Sequence, residues 1–137
     1  MRYNLFDHTA DLGMEFFGGS GEELFLSAAT GLFDVITDLE KVKAVEKVSV
    51  SAEGIDGEDL LVNWLRELLY FHQVKGMLLK KFVITRMEAT SIEGYAKGEF
   101  FDEKRHVIKK EIKAVTYHDV AIEEKDGQWM ARVVFDL

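Results

Sequence analysis

The stretch from Leu60 to Leu69 constrains the fold more than any other. Leu60, Leu61, Trp64, Leu65, Leu68 and Leu69 fall at i, i+1, i+4, i+5, i+8 and i+9, the broad apolar stripe of a helix. A stripe that wide is stable only beneath a second layer, so the rest of the chain must supply a covering surface. Asp56 or Gly57 opens this helix and Gly76 stops it. An earlier stripe, Leu24, Phe25, Ala28, Ala29, Leu32, Phe33 and Ile36, marks another helix, closing over Thr37 to Leu39. Ser20 is its expected N-cap and Glu23 its capping-box partner.

Strands fill the remainder. Arg2 to Phe6 and Gly13 to Phe17 read as short strands separated by the polar segment Asp7-His8-Thr9-Ala10-Asp11. Val45 to Ala52 alternates Val48, Val50 and Ala52 with Lys47, Ser49 and Ser51, the pattern of a half-buried strand. Further strands are expected near Leu79 to Glu88, Ser91 to Phe101 and Glu111 to Glu124. Asp126-Gly127 is a favoured two-residue turn and joins the last of these to a strand over Gln128 to Asp136. The economical assembly is an α/β (α+β) two-layer sandwich, with two helices on one face of a largely antiparallel mixed sheet. Residues 1–137 carry no repeat or proline-rich linker and read as one domain.

Composition narrows the chemistry. With no cysteine, thiolate metal sites, disulfides and a cysteine nucleophile are all excluded. That fits a reducing cytoplasm, as does the polar, acidic stretch Met1 to Leu12, which has no apolar signal-peptide core. The longest apolar run, Leu68 to Phe71, is far short of a membrane span. A formal net charge of −8 opposes tight, sequence-independent binding to a phosphate backbone. It suits a basic protein partner or the concentration of cations.

Two segments gather potential ligands. Asp7, His8 and Asp11 lie within five residues, and Asp136 stands beside the α-carboxylate of Leu137. Two unit charges about 4 Å apart repel by roughly 1 kcal/mol in water and about 4 kcal/mol at a protein-like dielectric. If Asp11 joins the second group, the cluster calls for a cation. All-oxygen ligation favours Ca²⁺ or Mg²⁺, and irregular carboxylate geometry leans toward Ca²⁺. Turn and cap chemistry is the bland alternative for the first segment, solvation for the second. Lys113 is a rival counter-charge that needs no ion.

His106, Glu111 and His118 match neither a His-Glu-x-x-His helix nor a zinc-finger spacing, and core-satisfied or exposed histidines are expected there. Gly18-Gly19-Ser20-Gly21 lacks the lysine of a phosphate-binding loop, and Glu22 and Glu23 would repel an anion. No Gly-x-Ser-x-Gly elbow occurs. A metal-assisted hydrolase on Asp7, His8 and Asp11 has only those three residues behind it.

The same segments resemble the archease family. Asp7-His8-Thr9-Ala10-Asp11-Leu12-Gly13 is similar to its N-terminal signature. Glu22-Glu23-Leu24-Phe25 with Ala28-Ala29 and Gly31-Leu32-Phe33 resembles its first helix, and Leu60 to Tyr70 its second, with Arg66 where asparagine is expected. Gly98-Glu99, Asp102 and His106 lead into Glu111 to His118, and Val134-Phe135-Asp136-Leu137 resembles the closing motif. The resemblance implies a single archease-like domain that assists an RNA-splicing ligase of the RtcB type. That ligase joins tRNA halves by way of a guanylate carried on a histidine. The accessory protein promotes guanylylation and multiple turnover, acts in the cytoplasm and has no catalysis of its own. By position, Asp11, Asp136 and Leu137 are the implied Ca²⁺ ligands, with Asp7, His8 and Lys113 as candidates for partner contact. The resemblance also admits a chaperone or modulator of RNA-modifying enzymes, such as a tRNA methyltransferase.

Overall fold

The computed structural model describes residues 3–8 and 11–137, the side chains of Asp7 and His8 excepted. Strands β1 (Tyr3–His8) and β2 (Asp11–Gly18) lead into helix α1 (Gly21–Ile36). Strand β3 (Glu46–Glu53) and helix α2 (Gly57–Gln73) follow. Strands β4 (Met77–Glu88), β5 (Ser91–Phe100), β6 (Ala114–Val115), β7 (Ala121–Lys125) and β8 (Gln128–Asp136) complete the chain.

The strands divide into two sheets instead of the single one that economy suggested. One runs β1-β2-β8-β6, with β7 also paired to β8, and the other runs β3-β5-β4. Every pairing among the described residues is antiparallel, so the expected mixed character is absent from both sheets. Helix α1 packs on β2 of the first sheet and β4 of the second. Its burial follows from that position: Ser27, Gly31 and Val35 are buried along with the predicted stripe. A helix buried on more than one face lies between layers. At Gly31 a Cβ would come within 2.8 Å of the Phe16 ring, so glycine is what lets α1 approach β2 so closely. Helix α2 packs on β3 and β4 and reaches β6 and β7, with Leu60, Leu61, Trp64, Leu65, Leu68 and Leu69 buried as the spacing required.

Local signals held where both partners were close in sequence. Ser20 caps α1, its Oγ accepting from the Glu23 N–H at 3.1 Å. The return half of the box is displaced by one residue, because Glu23 Oε2 accepts from the Gly19 N–H at 3.0 Å. Asp56 caps α2 in the same way through the Asp59 N–H. Asp126 and Gly127 both take positive φ, 54° and 78°, and connect β7 to β8 as a mirror-image turn. The single strand expected over Glu111 to Glu124 is two short ones, broken where Asp119 adopts a positive φ of 55°. No helix among the described residues is long and apolar enough to cross a membrane.

Candidate functional site

Alternation along β2 sends Leu12, Met14 and Phe16 into the core and leaves Asp11 and Glu15 on the other face. Strand β8 lies beside it in a register that pairs Glu15 with Arg132 and Asp11 with Asp136. The two pairs are opposite in kind. Arg132 Nη2 meets Glu15 Oε2 at 3.0 Å, and its guanidinium lies 4.8 Å from the centre of the Phe6 ring. Four residues along the same face, two aspartates oppose each other. Directly opposed Cβ atoms in an antiparallel pair stand about 4.5–5.5 Å apart, and like charges there are destabilising.

The cross-strand row extends in both directions, since His8 is registered with Asp11 and Ala114 with Asp136. Leu137 follows Asp136 in sequence, so its α-carboxylate is one residue beyond the row. Leu5, Phe6, Asp11, Leu12, Lys110 and Leu137 line an open depression of about 450 Å³ beside it. The structure therefore brings Asp11, Asp136 and Leu137 to one corner of the first sheet. The side chains expected of Asp7 and His8 lie outside the described residues, although both positions belong to β1.

Lys113 reaches this corner through its backbone, whose N–H donates to the Asp136 carbonyl at 2.8 Å, while its side chain is exposed. The segment is held from behind by Gln73, the last residue of α2. Its Nε2 donates to the carbonyls of Ile112 (2.9 Å) and Lys113 (2.8 Å). Neither Gln73 nor Lys110 carried a sequence signal, because their roles depend on which segment folds back over α2.

Among the described residues the donors gathered at the corner, Asp11, Asp136 and the Leu137 carboxylate, are all oxygen. That set fits a hard divalent cation. Among the described residues no group of three His, Cys, Asp or Glu side chains stands close enough to hold a metal.

A second polar cluster is buried. Glu99, 6% exposed, accepts from the Lys43 N–H at 2.6 Å, from both Nη atoms of Arg105, and from His106 Nε2 at 3.1 Å. The Asp102 N–H donates to His106 Nδ1 at 2.9 Å, so Nε2 carries the ring proton and gives it to Glu99. Arg105 first, aided by the backbone of Lys43, holds the Glu99 carboxyl down at about 2. His106 is thus the satisfied core histidine expected, and His118 is exposed beside Asp119 at 3.4 Å.

Arg66, where asparagine was expected, donates to the Val115 carbonyl from Nε (3.3 Å) and Nη2 (3.1 Å) and lies over the Tyr117 ring. The Tyr117 hydroxyl donates to Asp59 Oδ1 at 2.5 Å. That hydrogen bond raises the Tyr117 pKa and lowers that of Asp59. Arginine here ties α2 to β6, the strand that pairs with the Asp136 end of β8.

Fold and site together define a two-helix, two-sheet α+β domain with carboxylates gathered at one end of the first sheet. Residues 3–137 match the profile of the Archease protein family (MTH1598/TM1083). Protein archease of Methanopyrus kandleri is 40% identical, with all of both chains covered. That of Pyrococcus abyssi is 43% identical over 99% of each. Protein 1598 of Methanobacterium thermoautotrophicum, solved in solution, superposes with a TM-score of 0.79 at 38% identity, covering 98% of both chains. The Thermotoga maritima crystal structure, described as an archease and possible chaperone, has a TM-score of 0.68. It covers 100% of this chain and 98% of its own; at 23% identity it speaks for the fold alone. The chain belongs to the archease family.

Proposed function

We propose that this chain is a non-catalytic accessory protein that activates an RNA ligase of the RtcB type by promoting its guanylylation and turnover. The observation that carries the reading is the placement of Asp11 opposite Asp136, with the α-carboxylate of Leu137 next in sequence. Family membership supports it, because the resemblance that implied this role rested on these same motifs.

In this reading Asp11, Asp136 and the α-carboxylate of Leu137 hold Ca²⁺, with Mg²⁺ a weaker fit. Held there, such an ion would supply positive charge that offsets the repulsion between these carboxylates. The protein's own groups do the rest. Gln73 fixes the 112–113 segment beside the row, which leaves the exposed side chain of Lys113 available to a partner. Asp7 and His8 are further contact candidates on β1. Charge complementarity between this acidic corner and a basic RNA-binding enzyme speeds encounter and weakens with salt. Activation follows if the corner binds one conformation of the ligase better than another.

The test is ligase guanylylation with and without the purified protein. Stimulation by the wild type, lost in Asp11→Ala and Asp136→Ala variants that remain folded, is the expected outcome. Ca²⁺ titration calorimetry should show binding that the variants and a C-terminally amidated chain lose. Full stimulation by both variants would remove the corner from the mechanism. The family resemblance admits a second reading, a chaperone of RNA-modifying enzymes such as a tRNA methyltransferase; the Thermotoga maritima structure is described only as a possible chaperone. Protection of an aggregating client without any effect on the ligase would favour it.

A further inference from the structure

The second sheet carries a feature that the acidic corner does not use. Its register aligns Lys47 of β3, Lys97 of β5 and Lys81 of β4 in one cross-strand row. The adjacent row on that face is Ser49, Tyr95 and Val83. The intervening residues Val48, Val50, Ile92 and Ala96 turn inward to the core, so the row lies on the outer face. Lys47 Nζ sits 4.1 Å from the Tyr95 ring centre and Lys97 Nζ 6.0 Å. No salt bridge among the described residues involves Lys47, Lys81 or Lys97.

Cations opposed across neighbouring strands repel. Strand spacing of about 4.8 Å confines all three within roughly 10 Å. A chain with net charge −8 has carboxylates enough to break such a row, yet of the acids on this face of β5, Glu99 is taken by Arg105 and His106, and Glu93 stands opposite Arg86 in the register. The ring at the centre of the face separates two kinds of polyanion. An acidic polypeptide needs only the ammonium groups. A single-stranded nucleic acid also offers flat bases, which stack on an aromatic ring while phosphates take the cations.

We infer that the outer face of the β3-β5-β4 sheet is a weak, salt-sensitive binding surface for single-stranded RNA, with Lys47, Lys81 and Lys97 on phosphates and Tyr95 under a base. Lys47 then exchanges its place on the ring for a phosphate contact as the base arrives. The surface is separate from the acidic corner, and its failure would leave the proposed ligase role untouched.

The experiment is fluorescence anisotropy of the intact protein with a labelled oligouridylate, beside a labelled polyglutamate of equal length. Three phosphate contacts at a slope of about −0.7 each predict roughly a 20-fold loss of affinity between 50 and 200 mM salt. Joint Lys47→Gln, Lys81→Gln and Lys97→Gln substitution should weaken oligouridylate binding more than tenfold. Tyr95→Leu should weaken it at least fivefold. A charge-matched control with Lys41→Gln, Lys104→Gln and Lys125→Gln should lose far less than the row variant. Circular dichroism melts confirm that each variant is folded. The inference is overturned if the wild type fails to bind, or if the control loses as much as the row variant. Equal polyglutamate binding with no effect of Tyr95→Leu also overturns it and assigns the face to an acidic polypeptide.

Discussion

Glu99 and Asp136 are both carboxylates at the ends of long strands, yet their surroundings are opposite. Around Glu99 the fold has converged an arginine, a histidine and a backbone N–H, so the charge is answered by the chain's own groups, with Arg105 reaching out to solvent. Around Asp136 the register supplies another aspartate. A buried carboxylate held by donors of its own chain serves the fold, tying the 101–109 loop to β5. Two carboxylates set against each other repel, and a cation at that corner, whether a lysine of the chain such as Lys110 or a bound ion, offsets the repulsion. The contrast sorts polar clusters better than residue type does, because by composition alone Glu99, Arg105 and His106 look the more catalytic.

The largest expected effect lies at the answered cluster. Glu99→Ala leaves His106 Nε2 and the Lys43 N–H without their acceptor, and a buried donor left unsatisfied costs about 1–3 kcal/mol. Urea denaturation should register the loss as a lower midpoint with an unchanged slope. A variant within 1 kcal/mol of wild type would show that the cluster is not the clamp described.

Next in size is the acid limb of stability. The Glu99 carboxyl sits at about 2 in the folded protein against an ordinary 4.5, so it is depressed. The stability it contributes is therefore complete above pH 4.5 and declines as the pH falls from there toward 2. Thermal melts across that window should fall more steeply for wild type than for Glu99→Gln. Parallel curves would remove Glu99 as the cause.

Smallest is the effect at the opposed aspartates, and it has the other sign. Asp136→Asn removes repulsion and should raise the unfolding free energy by up to about 1 kcal/mol in the absence of divalent ions. Added Ca²⁺ should stabilise the wild type and leave the variant unmoved. A destabilised variant without added ions would mean that the Asp136 carboxylate is already answered within the fold.

Much of this was readable before any coordinates, and the divide is physical. Ser20, Asp56 and Asp126-Gly127 act over two to four residues, so their chemistry is written locally. The apolar stripe of α2 needs only the helical period to be seen. The split into two sheets is a different matter, because which strand β3 chooses depends on competition with every other edge. The same holds for Ser27 and Val35, which lie outside the α1 stripe and are buried only because a second sheet covers them. At the candidate site, Asp11, Asp136 and Leu137 could be named from sequence, but their proximity is a property of the β2–β8 register. Lys110 and Gln73 could not be named at all.

The pairing of β2 with β8 has one more consequence. It joins segments from nearly opposite ends of the polypeptide, and contacts of such long range close slowly and only once the intervening chain is organised. The two aspartates are therefore strangers in the denatured ensemble and neighbours only in the finished molecule. A divalent ion that recognises them has nothing comparable to bind in the disordered chain. Titrating it should raise the melting temperature logarithmically, turning the corner into a thermometer of how much protein is native.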